Sequence, residues 1–372
     1  MTSSRVHTFK LDRLEGRVLL EFQAAVPSTP GAADHAGSSP AVTRVALTPQ
    51  AAGRLAATLG ELLGNGTGGP AGSAPQAGKQ SVELDRTTHG RTPVNAPNDP
   101  AGEKAALLMK RVSDLGTLLR HERSFRLSDG LLLANRFLLT VRKLDFAGDL
   151  ERRSLAICRE FGMPDAAAAA AAPHFADAVC VHFGFEASAG TIMCKLYLER
   201  PAGEAEIRRA KAASEAVPLH VAFKWNVAGA EAAVVTRYLW HPDLSYAAIC
   251  SRLERIYGSA GSGASFAIAQ AVLKLANERV PTQRLQYLEV TEDGSPRRSF
   301  DINLYDAQLL VRDLQPMLYA MRDHFSVRPG QFQAVYDQVK SRSMGHLAGG
   351  LHRDGKHFFN VYFGVAARAP DR

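Results

Sequence analysis

One pattern limits this chain more than any other: four strand-like segments each carry a polar residue, a one-residue spacer and a tyrosine. They are Thr191–Glu199 (TIMCKLYLE), Ala233–Trp240 (AVVTRYLW), Phe300–Asp306 (FDINLYD) and Phe358–Val365 (FFNVYFGV). Successive strand side chains point to opposite faces, so each polar residue shares a face with its tyrosine. The pairs are Lys195/Tyr197, Thr236/Tyr238, Asn303/Tyr305 (with Asp301) and Asn360/Tyr362. The opposite faces are apolar, apart from Arg237: Ile192/Cys194/Leu196/Leu198, Val235/Leu239, Phe300/Ile302/Leu304 and Phe359/Val361/Phe363.

Each segment has a preceding strand partner, at Ala178–Glu186, Leu219–Val227, Leu285–Thr291 and Met344–His352. Turn residues join three of the pairs, Ala187–Gly190, Glu292-Asp293-Gly294 and Arg353-Asp354-Gly355. Helical stretches follow: Gly203–Ala216, Leu244–Ile256, Ala264–Glu278, Ala307–Phe325 with a bend expected at Pro316, and Gln331–Arg342. The expected class is α+β: repeated ββα units forming an antiparallel sheet, with helices over the apolar faces. Closure into a barrel would remove the sheet edges and gather the polar faces in one cavity. An open sheet with a solvated polar face is the other reading. Tyrosine at matching places in all four pairs favours the lined cavity.

Ahead of this region the chain changes character. Residues 1–64 read as a small α+β unit, with strands at Thr8–Leu11, Arg17–Ala24 and Ala41–Leu47 and a helix from Thr48-Pro49 to Leu63. Residues 65–100 are rich in Gly, Pro, Ser, Thr, Asn and Ala and read as a flexible linker. Residues 101–172 read as a helical segment packing on the main domain, 173–366. Its helices are Asp99-Pro100 to about His121, Leu131–Val141, Asp149–Phe161 and the short alanine run Ala166–Ala172.

The net charge of +7 over 372 residues favours an anionic partner. No basic run interleaved with aromatics points to nucleic acid. No apolar run approaches the ~20 residues of a membrane span, and the N-terminus lacks a signal-peptide core. A cytoplasmic protein is expected. Cys158, Cys180, Cys194 and Cys250 have no metal-ligand spacing and read as reduced thiols. His346, His352 and Asp354 could meet at a metal, but an Asp-Gly turn between strands explains them more simply. The Gly258–Gly263 segment lacks the features of a phosphate loop, and no hydrolase elbow or zinc-protease helix occurs.

At the Lys-x-Tyr and Asn-x-Tyr strands the chain resembles the ABBA-type aromatic prenyltransferases, the PT-barrel family. GTIMCKLYLERP resembles its Lys-x-Tyr strand, and FDINLYDA its Asn-Leu-Tyr strand. The resemblance covers about Ala178–Val365. It implies a ten-strand barrel, of which eight strands are recognised here; Phe125–Val141 or the N-terminal strands could supply the missing pair. It also implies transfer of a prenyl group from its diphosphate to an electron-rich aromatic acceptor, in secondary metabolism. Carried over, Lys195, Tyr197, Asn303 and Tyr305 would bind the diphosphate and shield an allyl cation. Lys224, Tyr238, Asn360 and Tyr362 occupy comparable places. Thr236 stands where a lysine would be expected.

Glu186, on the polar face of its strand, is the candidate base, with His182 of similar standing; a solvated strand-end residue is the simpler reading of each. No cofactor is required by the motif. Some family members use Mg²⁺, and no carboxylate cluster decides the matter here. The competing class is a non-catalytic small-molecule-binding or assembly module, with residues 1–64 docking a protein partner.

Overall fold

Alternation along the strands decides the architecture, because each strand has one face that must leave water and one that must not. The computed structural model describes residues 6–14, 17–24, 42–47 and 99–368, apart from 189, 230 and 259–262. The chain divides into two units, Met1–His89 and Gly90–Arg372. In the first, β1 (Val6–Leu14), β2 (Arg17–Ala24) and β3 (Val42–Leu47) form an antiparallel sheet in that order. The helix expected at 48–63 and the linker up to residue 98 lie outside the described residues.

The second unit is a closed barrel of ten antiparallel strands, each hydrogen-bonded to its neighbours in sequence, with β13 returning to β4. Helix α1 (Pro100–Ser113) leads in, with Asp99 as N-cap accepting from the Ala101 N–H at 3.2 Å. It stops well short of His121, because Gly116 takes a left-handed φ of +74° and turns the chain. The strand pair β4 (Leu119–Ser128) and β5 (Leu131–Arg142) follows. This corrects the helix expected at Leu131–Val141. LLLANRFLLTV satisfies a helical period as well as a strand period, and pairing decides between them. The Asp129-Gly130 turn, with Gly130 at φ +66°, sets Ser128 opposite Leu131 and starts the ladder. The pair fills the gap between β13 and β6, so the barrel has the ten strands that the resemblance implied.

Helices α2 (Leu150–Glu160) and α3 (Asp165–Ala171) then lead to β6 (Cys180–Ser188) and β7 (Thr191–Glu199). Next come α4 (Glu204–Ala213), β8 (Val217–Asn226), β9 (Val234–Trp240), α5 (Tyr246–Tyr257) and α6 (Gly263–Asn277). The last repeats hold β10 (Gln286–Glu292), β11 (Ser295–Asn303), α7 (Gln315–His324), α8 (Pro329–Val339), β12 (Met344–Leu351) and β13 (His357–Arg368). Pro316 does not bend a long helix: short 3₁₀ turns occupy Tyr305–Ala307 and Val311–Leu314, and Pro316 sits in the first turn of α7.

The apolar faces point outward under the helices. Phe183, Phe185, Leu196, Leu198, Phe223 and Trp225 share one cluster with residues of α1–α3. Phe300, Ile302, Leu304, Leu347, Phe359 and Val361 share another with residues of α5–α8. Fully burying each such side chain contributes about 1.5–3 kcal/mol, which is what commits the polar faces to the lumen. The Trp225 indole donates to the Phe161 carbonyl at 2.8 Å, tying β8 to the end of α2. Arg237, the exception on the outer faces, makes a two-pronged pair with Asp293. No helix among the described residues is long and apolar enough to cross a membrane.

Candidate active site

The lumen is stratified. One layer is cationic and is built by strand register. Lys195 on β7 lies opposite Lys224 on β8 and opposite Gly184 on β6. A Cβ at Gly184 would come within 3.1 Å of the Lys195 Cβ, so the glycine makes room for that side chain. Arg136 lies opposite Glu186, and Arg126 opposite Asn360. Glu186, only 7% exposed, receives Lys195 Nζ at 2.6 Å, Arg126 at 2.7 Å and Arg136 at 3.3 Å. Asn360 Oδ1 accepts from both Arg126 and Arg136. Arg297 pairs with Glu292 at 3.0 Å, and Arg353 reaches the same carboxylate. The guanidinium groups of Arg126 and Arg297 lie 5.2 and 5.4 Å from the Phe358 ring centroid.

Lys224 differs from its neighbours. Its Nζ lies 5.9 Å from the Tyr238 ring centroid, and among the described residues it has no hydrogen-bond or ion-pair partner. Burial, with Arg297 and Lys195 close by, pushes its ammonium well below the usual lysine range. Burial also lowers Lys195, to about 8, against the pull of Glu186. For Glu186 burial acts upward, but Arg136, Lys195 and Arg126 together hold the carboxyl well below its usual range. Five basic side chains (Arg126, Arg136, Lys195, Lys224 and Arg297) thus share this layer with Glu186 and Glu292, and Asp301, bonded to His346, lines the same cavity.

Beyond them lies a tyrosine layer. Tyr197 and Tyr238 have ring centroids 5.7 Å apart, and Tyr362 lines the same cavity. Burial pushes all three phenols up, so each is an un-ionised ring.

The third layer mixes carboxylates and imidazoles. Tyr305 donates its hydroxyl to Glu122, and its ring packs edge-on against His346 at 5.1 Å. His346 Nδ1 bonds Asp301 at 2.7 Å. Burial lowers that imidazole, but Asp301, with Glu122 and Glu199 behind it, raises it to about 9 overall. Glu122 is 8% exposed, and burial raises its carboxyl despite His346 and Tyr305. Gly345 is the floor under this pair: a Cβ there would overlap Glu122 Oε1 and sit 2.9 Å from the Tyr305 hydroxyl.

Six of the residues singled out from the sequence, Lys195, Tyr197, Lys224, Tyr238, Asn360 and Tyr362, line one cavity with Arg126, Arg136 and Arg297. The space between them is narrow, with about 30 Å³ reachable by the centre of a water molecule. Asn303 and Tyr305 are not among its lining residues. The β11 strand ends at Asn303, whose side chain accepts from the Tyr305 N–H at 3.1 Å and turns that tyrosine toward Glu122. Thr236 is fully buried and its hydroxyl has no partner among the described residues. His352 stacks on Phe358 and Asp354 caps the Lys356 N–H, while His346 is engaged by Asp301. Those three residues therefore do not form a metal centre.

Sequence reasoning missed Glu122, Arg126 and Arg136, which lie on β4 and β5 within the 101–172 segment expected to be helical, and Arg297, which follows a turn. The Asp-Gly pair between LRHERSFRLS and LLLANRFLLTV was the available signal. Mg²⁺, which the resemblance leaves open, does not fit the cationic layer: Glu186 and Glu292 are both consumed by arginine or lysine, whereas Mg²⁺ needs carboxylates free to ligate it.

No protein-family model matches the chain, and no curated protein matches it. Among solved structures, the chain is similar to PriB in binary complex with product diphosphate, with TM-score 0.49 and 14% identity over 66% of this chain and 79% of that one. It is also similar to 5-dimethylallyltryptophan synthase from Streptomyces coelicolor (0.46, 15%, 66% and 80%) and to AnaPT from Neosartorya fischeri (0.42, 13%, 68% and 79%). The likeness is distant.

Proposed function

We propose that the barrel transfers an allylic prenyl group from its diphosphate to an electron-rich aromatic acceptor. The observation that carries this reading is the order of layers: buried cations, then a group of tyrosine rings, then a buried carboxylate. A cluster of buried arginines and lysines suits a polyanion, and Lys224, with no side-chain partner among the described residues, gains a counter-charge when one enters. At ~4 Å and an effective dielectric of ~20, each added charge pair is worth about 4 kcal/mol. The narrow space suits a closed resting state in which the flexible Arg126, Arg297 and Lys224 side chains draw back onto phosphate oxygens as the ligand enters.

Heterolysis of the allylic C–O bond sends its electron pair out with the diphosphate, where the cations neutralise it. The allyl cation left behind faces Tyr197, Tyr238 and Tyr362, whose rings attract it and keep water away. A π pair of the acceptor ring forms the new C–C bond, and the ring proton leaves to a base. We assign that base to Glu122 and give Glu186 the role of holding Arg126, Arg136 and Lys195 in place. The Lys-x-Tyr and Asn-Leu-Tyr resemblance points the same way.

The test is a thermal-shift titration with dimethylallyl and geranyl diphosphates. At a hundredfold excess over Kd a ligand adds about 2.7 kcal/mol of apparent stability. Lys224→Met should melt higher than wild type without ligand, since it removes a buried amine with no side-chain partner among the described residues, yet bind the donor ~10–100-fold more weakly. Folded wild-type protein that responds to neither donor would sink the prenyl-donor reading in favour of a module binding another partner. Donor binding should also take up protons. Phosphate raises the depressed Lys195 and Lys224 ammonium groups, so affinity should fall as pH rises past 8. Calorimetry in buffers of different ionisation enthalpy checks this; identical apparent enthalpies in all buffers at pH 8 would contradict it.

A further inference from the structure

At the end of the lumen away from the cations lies a side-chain group that prenyl transfer does not use. Cys180 begins β6, His182 follows two residues on, and Glu199 ends β7. Cys180 is paired directly with Glu199 across the ladder, and His182 with Tyr197, so all three share the lumen side. One donor atom from each, a thiol sulfur, an imidazole nitrogen and a carboxylate oxygen, lies within 4.8 Å of the others.

The imidazole is oriented from behind. His182 Nδ1 is 2.8 Å from the Thr140 hydroxyl on β5, and Nε2 is 3.0 Å from Glu199 Oε2. In the metal-free protein Nε2–H donates to the Glu199 carboxylate; a metal taking that place leaves the ring proton on Nδ1, donated to Thr140, and meets the Nε2 lone pair at the point shared by the sulfur and the carboxylate. This is how a neighbouring acceptor fixes the tautomer of a metal-ligating histidine. Cys180 is directly opposite Glu199 in register, so the thiol reaches the same carboxylate that His182 bonds, and one donor from each of the three residues converges on one point. The site is also reachable: His182 is 11% and Glu199 34% exposed at the side chain.

We propose that Cys180, His182 and Glu199 form a three-ligand Zn²⁺ site at the mouth of the barrel. Mixed S, N and O donors suit Zn²⁺, whereas Mg²⁺ and Ca²⁺ require oxygen. Cys180 binds as the thiolate and gives its proton to solvent. Three protein ligands leave a fourth position free, as in catalytic rather than structural zinc sites. That position has His220 as a neighbour, opposite Glu199 in register and with its ring 6.0 Å from that of His182. An acceptor bearing a hydroxyl or thiol could occupy it. The zinc site stands independently of the donor chemistry, since it is detected without any prenyl diphosphate.

The experiment is titration of chelator-treated full-length protein with Zn²⁺, in competition with a chromophoric chelator, and in parallel with Co²⁺. Wild type should bind one equivalent, and the cobalt form should show tetrahedral d–d bands and a thiolate-to-cobalt charge-transfer band. Cys180→Ser should lose the charge-transfer band, and Glu199→Gln should bind at least ~10-fold more weakly. Wild-type protein provides a second readout that needs no variant: Zn²⁺ should protect Cys180 from alkylation while leaving the labelling of Cys250 unchanged. No stoichiometric binding, a charge-transfer band that persists in Cys180→Ser, or unprotected Cys180 would each overturn the site.

Discussion

Replacing Glu122 by glutamine is expected to lower kcat for prenyl transfer by ~10²–10⁴ while leaving donor binding unchanged. Glutamine keeps the shape and still accepts the Tyr305 hydroxyl, but it cannot take a ring proton. The residue belongs to the carboxylate and imidazole layer, apart from the side chains lining the cationic cavity, so diphosphate affinity should not move. The pH profile separates this role from a structural one. Burial raises the Glu122 carboxyl above its usual value of 4.5. The wild-type rate should therefore climb as pH passes through that raised value and then level off, whereas the glutamine variant should lose the limb. Gly345→Ala offers a route to the same result without touching either side chain, because its methyl group would drive Glu122 and Tyr305 apart. Steady-state kinetics with a saturating donor would decide. A Glu122→Gln enzyme within twofold of wild type would remove Glu122 from the chemistry and return the search for a base to Asp301.

That Glu122 escaped notice in the sequence has a physical cause. Strands are legible where the polar and apolar faces are sharply different, as in TIMCKLYLE, whose lumen face holds Lys195 and Tyr197 and whose outer face holds Cys194, Leu196 and Leu198. In LRHERSFRLS the lumen face carries Glu122, Ser124 and Arg126, while the outer face mixes His121 and Arg123 with Phe125 and Leu127. Both faces are part polar, so period two fades. Its partner LLLANRFLLTV fails for the opposite reason, carrying leucine on both faces. Only pairing to β13 and β6 fixes what these two segments are, and pairing is a long-range fact. The cationic layer was hidden for the same reason, since Arg126 and Arg136 come from this hairpin. Glu186 was visible as a polar residue on the right face, but the register that sets it among three cations was not, and with it went the difference between a free base and a neutralised anchor.

Removing that anchor should give the largest stability effect. Glu186→Gln is expected to destabilise the ligand-free protein by ~3–5 kcal/mol, a fall in Tm on the order of 10 °C, because Arg126, Arg136 and Lys195 would remain buried with no carboxylate between them. The same variant should gain more than wild type from a prenyl diphosphate, whose oxygens replace the missing charge. The acid limb gives an independent check. The folded-state Glu186 carboxyl lies well below 4.5. Its contribution is therefore fully present above the unfolded value near 4.5 and lost only as pH falls toward the folded one. Wild type should lose that stability on acidification, and Glu186→Gln should not. If Glu186 were instead the base, the glutamine variant would lose activity with little change in Tm and no enlarged response to diphosphate. Melting curves with and without donor at neutral and acid pH separate the two. An unchanged Tm together with an unchanged donor-induced shift would refute the anchor role.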